Sequence, residues 1–528
     1  MTLAPTNLPR VTYSNTGEDF SGVHAHLDEI IPATEARLLG KARPALIGGR
    51  DRLEGEILRA VSPIDRDIVL GEFPQADHAL VEEAVNAARA AFPAWRDVGW
   101  PKRVEILRRA SDALEERKWD VSIACLIEVG KSRLEAVGEV EEAIDLIRHY
   151  CAEMERTDGF REERPGASSA EKCSVVLRPY GVFAVVAPFN FPVALSIGMI
   201  SAALVAGNTA VFKPSDAAGL TGRLVAEAFV AGGIPAGVLN LVYGAEETGK
   251  ALVQHPRVDG VAFTGSNAVG MSILRHSASS QSMRPVLAEM GGKNPAFVTA
   301  SADLTVAASG VARSAFGFSG QKCSALSKAY VARGVMEDFL NTLLDTAGKL
   351  AVGDPRHREV FMGPVIDEVA LKRFTQASAD AAADGRIVVG GKQLRGDLFD
   401  RGPYVEPTIV AGLARDHRIN RDELFLPFMS VLPFDDLDEA IVDANRSAYG
   451  LTAGVYTRDN QELHRFLDTI QAGVLYANRA SGATTGAWPG FQTFCGWKGS
   501  GITGKGGLGS WYVPQFMREQ SHTIFGSP

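Results

Sequence analysis

From Val182 onward the chain alternates short β-branched runs with helix-length segments, and this alternation limits the fold more than any other feature. The runs are VFAVVA at 182–187, TAVF at 209–212, VLNLV at 238–242 and GVAFTG at 260–265. Between and after them lie helical segments at about 193–206, 219–232, 246–254 and 267–278. Strands separated by a helix cannot pair as hairpins, so they must run parallel, joined by crossovers. The expectation is an α/β fold with a doubly wound sheet, whose ligands bind where the carboxyl ends of strands meet helix N-termini. A second α/β series follows Gly291-Gly292: AFVT at 296–299, a helix from Asp303, SKAYVAR at 327–333 and a helix to about 350. A chain of 528 residues is also too long for one core and suggests two or three compact domains.

The flanking sequence divides around these series. Residues 1–45 are expected to form an N-terminal arm, 46–154 with 181–290 the first unit, and 291–475 the second. Residues 155–180 with 476–528 are expected to form a small peripheral element. From Ala45 to Gly71 apolar and polar residues alternate, as in paired strands. Asp77 is placed to cap a helix with Leu80, Ala84, Ala87 and Ala91 on one face, closed by Pro93. Another helical stripe is Val137, Val140, Ile144 and Ile147. Segment 155–180 is polar and reads as a linker or a hairpin, while the last fifty residues are rich in glycine and aromatics.

Composition removes several functions. The chain is 46% apolar, which excludes general disorder. Net charge is −9 with no Lys/Arg block, which argues against nucleic acid or an anionic membrane as partner. The longest apolar stretch, Val193 to Ala206, is shorter than the about 20 residues a bilayer needs. MTLAPTNLPR lacks a basic-then-apolar leader pattern. Five scattered cysteines without a CxxC point away from disulfides and zinc, so no metal is expected and a reducing cytoplasm fits best.

Three segments could carry chemistry. In Phe318-Ser-Gly-Gln-Lys-Cys323-Ser-Ala, a thiol sits in a glycine-containing turn beside Lys322, a cation that would favour the thiolate. A buried structural cysteine weighs about equally. In Leu287-Ala-Glu289-Met-Gly-Gly-Lys-Asn-Pro295, a strand-end carboxylate next to Gly-Gly could be desolvated into a general base. Alone, a solvent-exposed pairing with Lys293 is the more ordinary reading. In Pro188-Phe-Asn190-Phe-Pro192, the amide could face an oxyanion, or simply satisfy its own turn. Gly244 to Ala251 imitates the phosphate-cradling GxxxxGK loop. Ala251 replaces the Mg²⁺-binding Ser/Thr, and Glu246 and Glu247 would repel a triphosphate, so an NTPase is rejected.

Taken in order, PFNFP, GNTAVFKPSD, FTGS, EMGGKNP, GQKCSA, DELFLP and YGLTAGVY resemble the aldehyde dehydrogenase superfamily over roughly residues 45 to 520. The resemblance implies an aldehyde dehydrogenase-like fold: an NAD-binding domain, an α/β catalytic domain and a small oligomerisation element. It makes Cys323 the nucleophile, Asn190 the oxyanion donor with the Cys323 backbone N–H, and Glu289 the base that opens the thioester. It implies that Lys213 and Asp216 bind the adenosine ribose, that Gly265 and Ser266 meet a phosphate, and that Glu423 with Phe425 flanks the nicotinamide ribose. An acid at 216 suits the free 2′-hydroxyl of NAD over NADP, with Ser215 leaving NADP open. Leu426 stands where that family usually has glycine.

GQKCSA is similar to the glutamate-semialdehyde (1-pyrroline-5-carboxylate) dehydrogenase branch. That branch implies a substrate carboxylate held by Gly486, Ala487 and Ser324, an ammonium group at Glu142, and Phe191 and Phe494 flanking the aliphatic chain. Glu142 lies off the apolar stripe of its helix, so a solvated face accounts for it as well. The expected partner is a small aldehyde, within a homo-oligomer. The alternatives are another aliphatic or aromatic aldehyde, a CoA-acylating variant, a cofactor-free cysteine esterase, and a non-catalytic protein that kept the fold.

Overall fold

The computed structural model describes residues 8–15, 17–280, 283–480 and 487–526. The first large sheet has the order Val286–Glu289, Gly260–Thr264, Val182–Val186, Thr209–Lys213, Leu239–Leu241, then Ala45–Ile47 and Arg50–Arg52. The first five strands are mutually parallel and the last two run antiparallel at the edge. The chain enters at Val182–Val186, builds outward in one direction, then returns to build the other side. The strand order therefore reverses between Val182–Val186 and Gly260–Thr264, and at that reversal two loops part to leave a crevice.

Both faces of this sheet are covered, which is why its strands are continuous apolar runs. Phe183, Val185, Ala210 and Phe212 point into one core cluster; Val182, Ala184 and Val211 point into another. The second large sheet has six parallel strands, in the order 408–411, 428–434, 326–332, 294–298, 452–456 and 474–477. Arg386–Val389 runs antiparallel at its edge. The polar segment is a hairpin, Arg161–Pro165 with Glu171–Pro179, and the tail strand Met517–Phe525 pairs antiparallel with its second strand. The outer strand REERP is exposed throughout, its charges guarding an open edge.

Two elements depart from the sequence expectation. The N-terminal arm contains an 18-residue helix, Ser21–Leu38, whose Val23, Leu27, Ile31 and Leu38 enter the main core. Pro32 and the dense polar residues hide that stripe in the sequence. The helix capped by Asp77 runs His78–Asp97 and passes Pro93 instead of ending there. Pro93 lies on the exposed side, and Trp95 holds the last turn in place by donating from Nε1 to the Leu204 carbonyl at 3.1 Å.

One buried ion pair fixes the turn that follows the central strand. Helix Ala194–Val205 has no side-chain cap of its own. Its first N–H groups are instead taken by Glu139, whose Oε1 accepts from Val193 at 2.8 Å and Ala194 at 3.1 Å. A carboxylate there also complements the positive end of the helix. Glu139 Oε2 accepts from Lys131 Nζ and, at 3.3 Å, from Cys125. Lys131 and Glu139 side chains are both fully buried, and Lys131 Nζ lies 3.5 Å from the Phe191 ring centroid. Glu139→Ala leaves a buried ammonium unpaired and is expected to cost about 3–5 kcal/mol. The double variant Glu139→Gln/Lys131→Met removes both charges and should lose clearly less. Guanidinium unfolding of the three proteins measures the difference.

Candidate active site

At the crevice, the loop after Val182–Val186 carries Asn190 and Phe191, and the loop after Gly260–Thr264 carries Gly265 and Ser266. Asn190 is buried at 3% exposure, one residue before Phe191. Phe191, Cys323, Ser324, Glu289, Glu142, Ala487 and Phe494 line one cavity of about 100 Å³. Segments more than a hundred residues apart in sequence thus reach a single cavity. Gly486, expected beside Ala487, lies outside the described residues.

The Cys323 loop is held by unusual backbone. Helix Leu304–Phe316 leads into Phe318 (φ 49), Ser319 (φ 55) and Gly320 (φ 66), three successive residues in the left-handed region. Such a run is costly and persists only where its surroundings dictate it. Here Ser319 Oγ donates to the Gly363 carbonyl at 2.7 Å, and Gln321 Oε1 accepts from the Ile366 N–H at 2.8 Å. A Cβ on Gly320 would lie 2.1 Å from the Leu426 carbonyl oxygen, so glycine is required. Leu426 itself packs at 4% exposure among Leu424 and Phe428, so the departure at this position is absorbed by the core. Asn294 completes the support. Its Nδ2 donates to the carbonyls of Cys323 (2.7 Å) and Ala325 (2.8 Å), while its Oδ1 accepts from the Thr452 N–H (3.0 Å). Sequence reasoning passed over Asn294, although it lies in the segment already singled out for Glu289.

The electrostatics around the thiol differ from the expectation. Lys322 does not favour the thiolate, because its Nζ donates to Glu135. Burial, then the charges of Glu423 and Glu289, push the Cys323 thiol up to about 12, against N–H donation from Ser324 and Cys323 itself. Burial raises Glu289 to about 8, and its Oε2 is sealed from solvent without a partner among the described residues. The strand end bearing it is pinned by the tail: Met290 N–H donates to Ser500 O at 2.8 Å and Ile502 N–H to Ala288 O at 3.2 Å.

Glu142 is buried at 8% exposure, not solvated, because its helix Arg133–Arg156 is packed on most of its faces. Burial raises it to about 7, and it accepts from Tyr13 Oη at 2.6 Å. Tyr13 comes from the N-terminal segment, where nothing in the sequence signalled a site. Tyr150 and Tyr512, which also line the cavity, stack at 5.5 Å and belong to the same unforeseen set. Cys495 lies outside the cavity lining, its thiol against the Gly473 carbonyl at 3.8 Å.

The residues expected to hold a dinucleotide lie at strand ends and helix starts. Helix Asn267–Ser279 begins there, with Ser266 Oγ accepting from the Val269 N–H at 3.4 Å. Gly265 donates its N–H to the Glu289 carbonyl at 3.1 Å. Lys213 ends its strand nearly buried, with Nζ donating to the carbonyls of Pro214 (3.0 Å) and Gly244 (2.5 Å). Burial lowers it to about 8. Three donors on an ammonium leave one for a ligand. Asp216 is exposed beside Ser215, whose Oγ donates to it at 3.2 Å. Glu423 Oε1 accepts from the Gly292 N–H at 2.9 Å, and a Cβ on Gly291 would fall 1.9 Å from its other oxygen. The carboxylate therefore rests on bare backbone between the crevice and Cys323. Phe425, at φ 58, meets Phe189 edge-on at 5.9 Å. In the imitation phosphate loop, Lys250 instead pairs with Glu246 (2.7 Å) and Glu247 (3.0 Å) at the surface.

Residues 51–521 match the aldehyde dehydrogenase family, and the chain belongs to that family. It is an oxidoreductase of the class that converts aldehydes to acids. It is 36% identical over 487 residues to the 1-pyrroline-5-carboxylate dehydrogenase of Geobacillus sp. strain WCH70, covering 91% of this chain and 92% of that one. To its counterpart in Geobacillus thermodenitrificans strain NG80-2 it is 37% identical over 476 residues, 89% and 90% of the two chains. The crystal structure of 1-pyrroline-5-carboxylate dehydrogenase from Thermus with bound NAD superposes with a TM-score of 0.91 at 32% identity. That match covers 99% of this chain and all of the other. Among the described residues, no helix is long and apolar enough to cross a membrane.

Alkylation by iodoacetamide tests the electrostatics. Inactivation through Cys323 should be slow at pH 7 and accelerate steadily with pH. Above pH 8, where Glu289 is ionised, Glu289→Gln removes a like charge and should raise the rate several-fold.

Proposed function

We propose that this protein oxidises an amino-acid semialdehyde, glutamate γ-semialdehyde or a close analogue, to the carboxylate with NAD. The observation that carries the reading is the convergence of Cys323, Glu289 and Glu142 on one cavity. The aldehyde carbonyl carbon is attacked by the Cys323 sulfur. Because burial holds that sulfur as the thiol in the free protein, its proton passes to solvent as attack begins. The oxyanion is met by the Asn190 amide and the Cys323 backbone N–H. When bound, NAD accepts the hydride, and a thioester remains on Cys323. Glu289 then takes a proton from the water that opens it, which a carboxylate poised near pH 8 does well.

Lys213 and Asp216 would hold the adenosine ribose, Gly265 and Ser266 a phosphate, and Glu423 with Phe425 the nicotinamide ribose. The exposed acid at 216 favours NAD over NADP. Ser324, Gly486 and Ala487 would bind the substrate carboxylate, Glu142 its ammonium, and Phe191 and Phe494 its chain. Residues 46–154 and 181–290 then act as the NAD-binding domain and 291–475 as the catalytic domain. The sheet of 161–165, 171–179 and 517–525 docks a second copy, with Phe525 75% exposed on it. A reducing cytoplasm suits five free cysteines. A second reading, oxidation of an uncharged aldehyde, is supported by the cavity's Leu146, Leu195 and Met199.

NADH formation over an aldehyde panel separates the two readings: kcat/KM for glutamate γ-semialdehyde should exceed that for propanal or benzaldehyde. Cys323→Ala should give no NADH. Glu289→Gln should give one equivalent of NADH per site and then stall, and an absent burst would move the role of Glu289 to the first step. In the native enzyme, thioester hydrolysis should accelerate as pH rises through about 8, since Glu289 acts as base only when ionised.

A further inference from the structure

Segment 8–15 is tied down over the substrate cavity. Arg10 pairs with Glu141 at 2.9 Å and Asp145 at 3.0 Å, Val11 is fully buried, and Arg479 donates to the Tyr13 carbonyl at 3.3 Å. The Tyr13 ring meets Phe191 edge-on at 6.2 Å and Trp488 at 5.5 Å. Trp488 is itself fixed by donating from Nε1 to Asp145 at 2.8 Å. Tyr13 faces the catalytic cavity. It also lines, with Arg133, Arg313 and Lys322, a second cavity of about 200 Å³.

The hydroxyl has one target. Among the described residues Tyr13 is the only hydrogen-bond partner of Glu142, and it engages Oε2, which leaves Oε1 to the contents of the cavity. We propose that Tyr13 is the specificity-determining positioning residue of this site: its hydroxyl fixes Glu142 as the acceptor for a substrate ammonium group. This rests on the amino-acid semialdehyde reading above. Among the described residues no other donor restrains that carboxylate, so without the hydroxyl it is free to turn from the cavity or take up a proton.

The groups facing Glu142 fix the sign of the pH dependence. Burial raises its pKa, the Tyr13 hydrogen bond lowers it, Glu139 and Asp145 on its own helix raise it, and Lys131 lowers it. Across the cavity stand Lys322, Cys323 and Glu289. Removing the hydroxyl therefore shifts Glu142 toward its protonated form at neutral pH, while in alkali it ionises with or without Tyr13.

The test compares two competitive inhibitors of the full-length enzyme, L-glutamate and glutarate, which differ in the ammonium group. Wild-type enzyme should bind L-glutamate more tightly. Tyr13→Phe keeps the ring and should weaken L-glutamate on the order of tenfold at pH 7. Glutarate binding should hold, and the defect should shrink by pH 9. Glu142→Gln should show the same loss, and adding Tyr13→Phe to it should cost nothing more. Wild-type enzyme that binds both inhibitors equally overturns the substrate reading and this inference with it. Wild-type discrimination that survives Tyr13→Phe, or an equal further loss in the Glu142→Gln background, overturns the inference alone.

Discussion

The site depends on a carboxylate that never meets the substrate. Glu139 closes the open end of helix Ala194–Val205 with one oxygen and neutralises Lys131 with the other. The Lys131 ammonium in turn lies against Phe191, in the cavity wall. A buried ion pair is a poor source of stability compared with apolar packing. Its value here is directional. The loop between the central strand and its helix is gripped from outside, so the residues inside it are left to face the crevice.

The same logic recurs on the other side of the cavity. Cys323 sits in a loop that is unfavourable in itself and is stabilised by Asn294, Ser319 and Gln321. The supporting groups are amides and hydroxyls bonded to backbone, while Glu289 and Glu142, whose oxygens are not all partnered among the described residues, line the cavity. Polar groups thus divide into those that hold the scaffold and those kept available for chemistry.

The α/β alternation was legible because fully buried parallel strands leave an apolar run for each strand and a helix-length gap between. Asp77 announced its helix as a cap and caps in the structure, where Asp303 and Ser266 cap theirs as well. The helix Ser21–Leu38 was not legible, because Pro32 and scattered charges blur its stripe. At Pro93 a local rule was overridden by packing at Trp95. Within the site, Cys323 and Glu289 stood out through their neighbours in sequence. Tyr13, Tyr150 and Tyr512 could not, since their place in the cavity is set by contacts across more than a hundred residues. The role foreseen for Lys322 failed for a related reason: proximity in sequence said nothing of Glu135, which captures the ammonium.

The tail segment that pins the strand end at Glu289 has a consequence for how the protein is born. Met290 and Ala288 find their partners at Ser500 and Ile502, close to the end of the chain. A ribosome has made both large sheets before those partners exist. The nascent polypeptide therefore carries its thiol and its carboxylate with the edge beside them still open until residues 500–502 have been made.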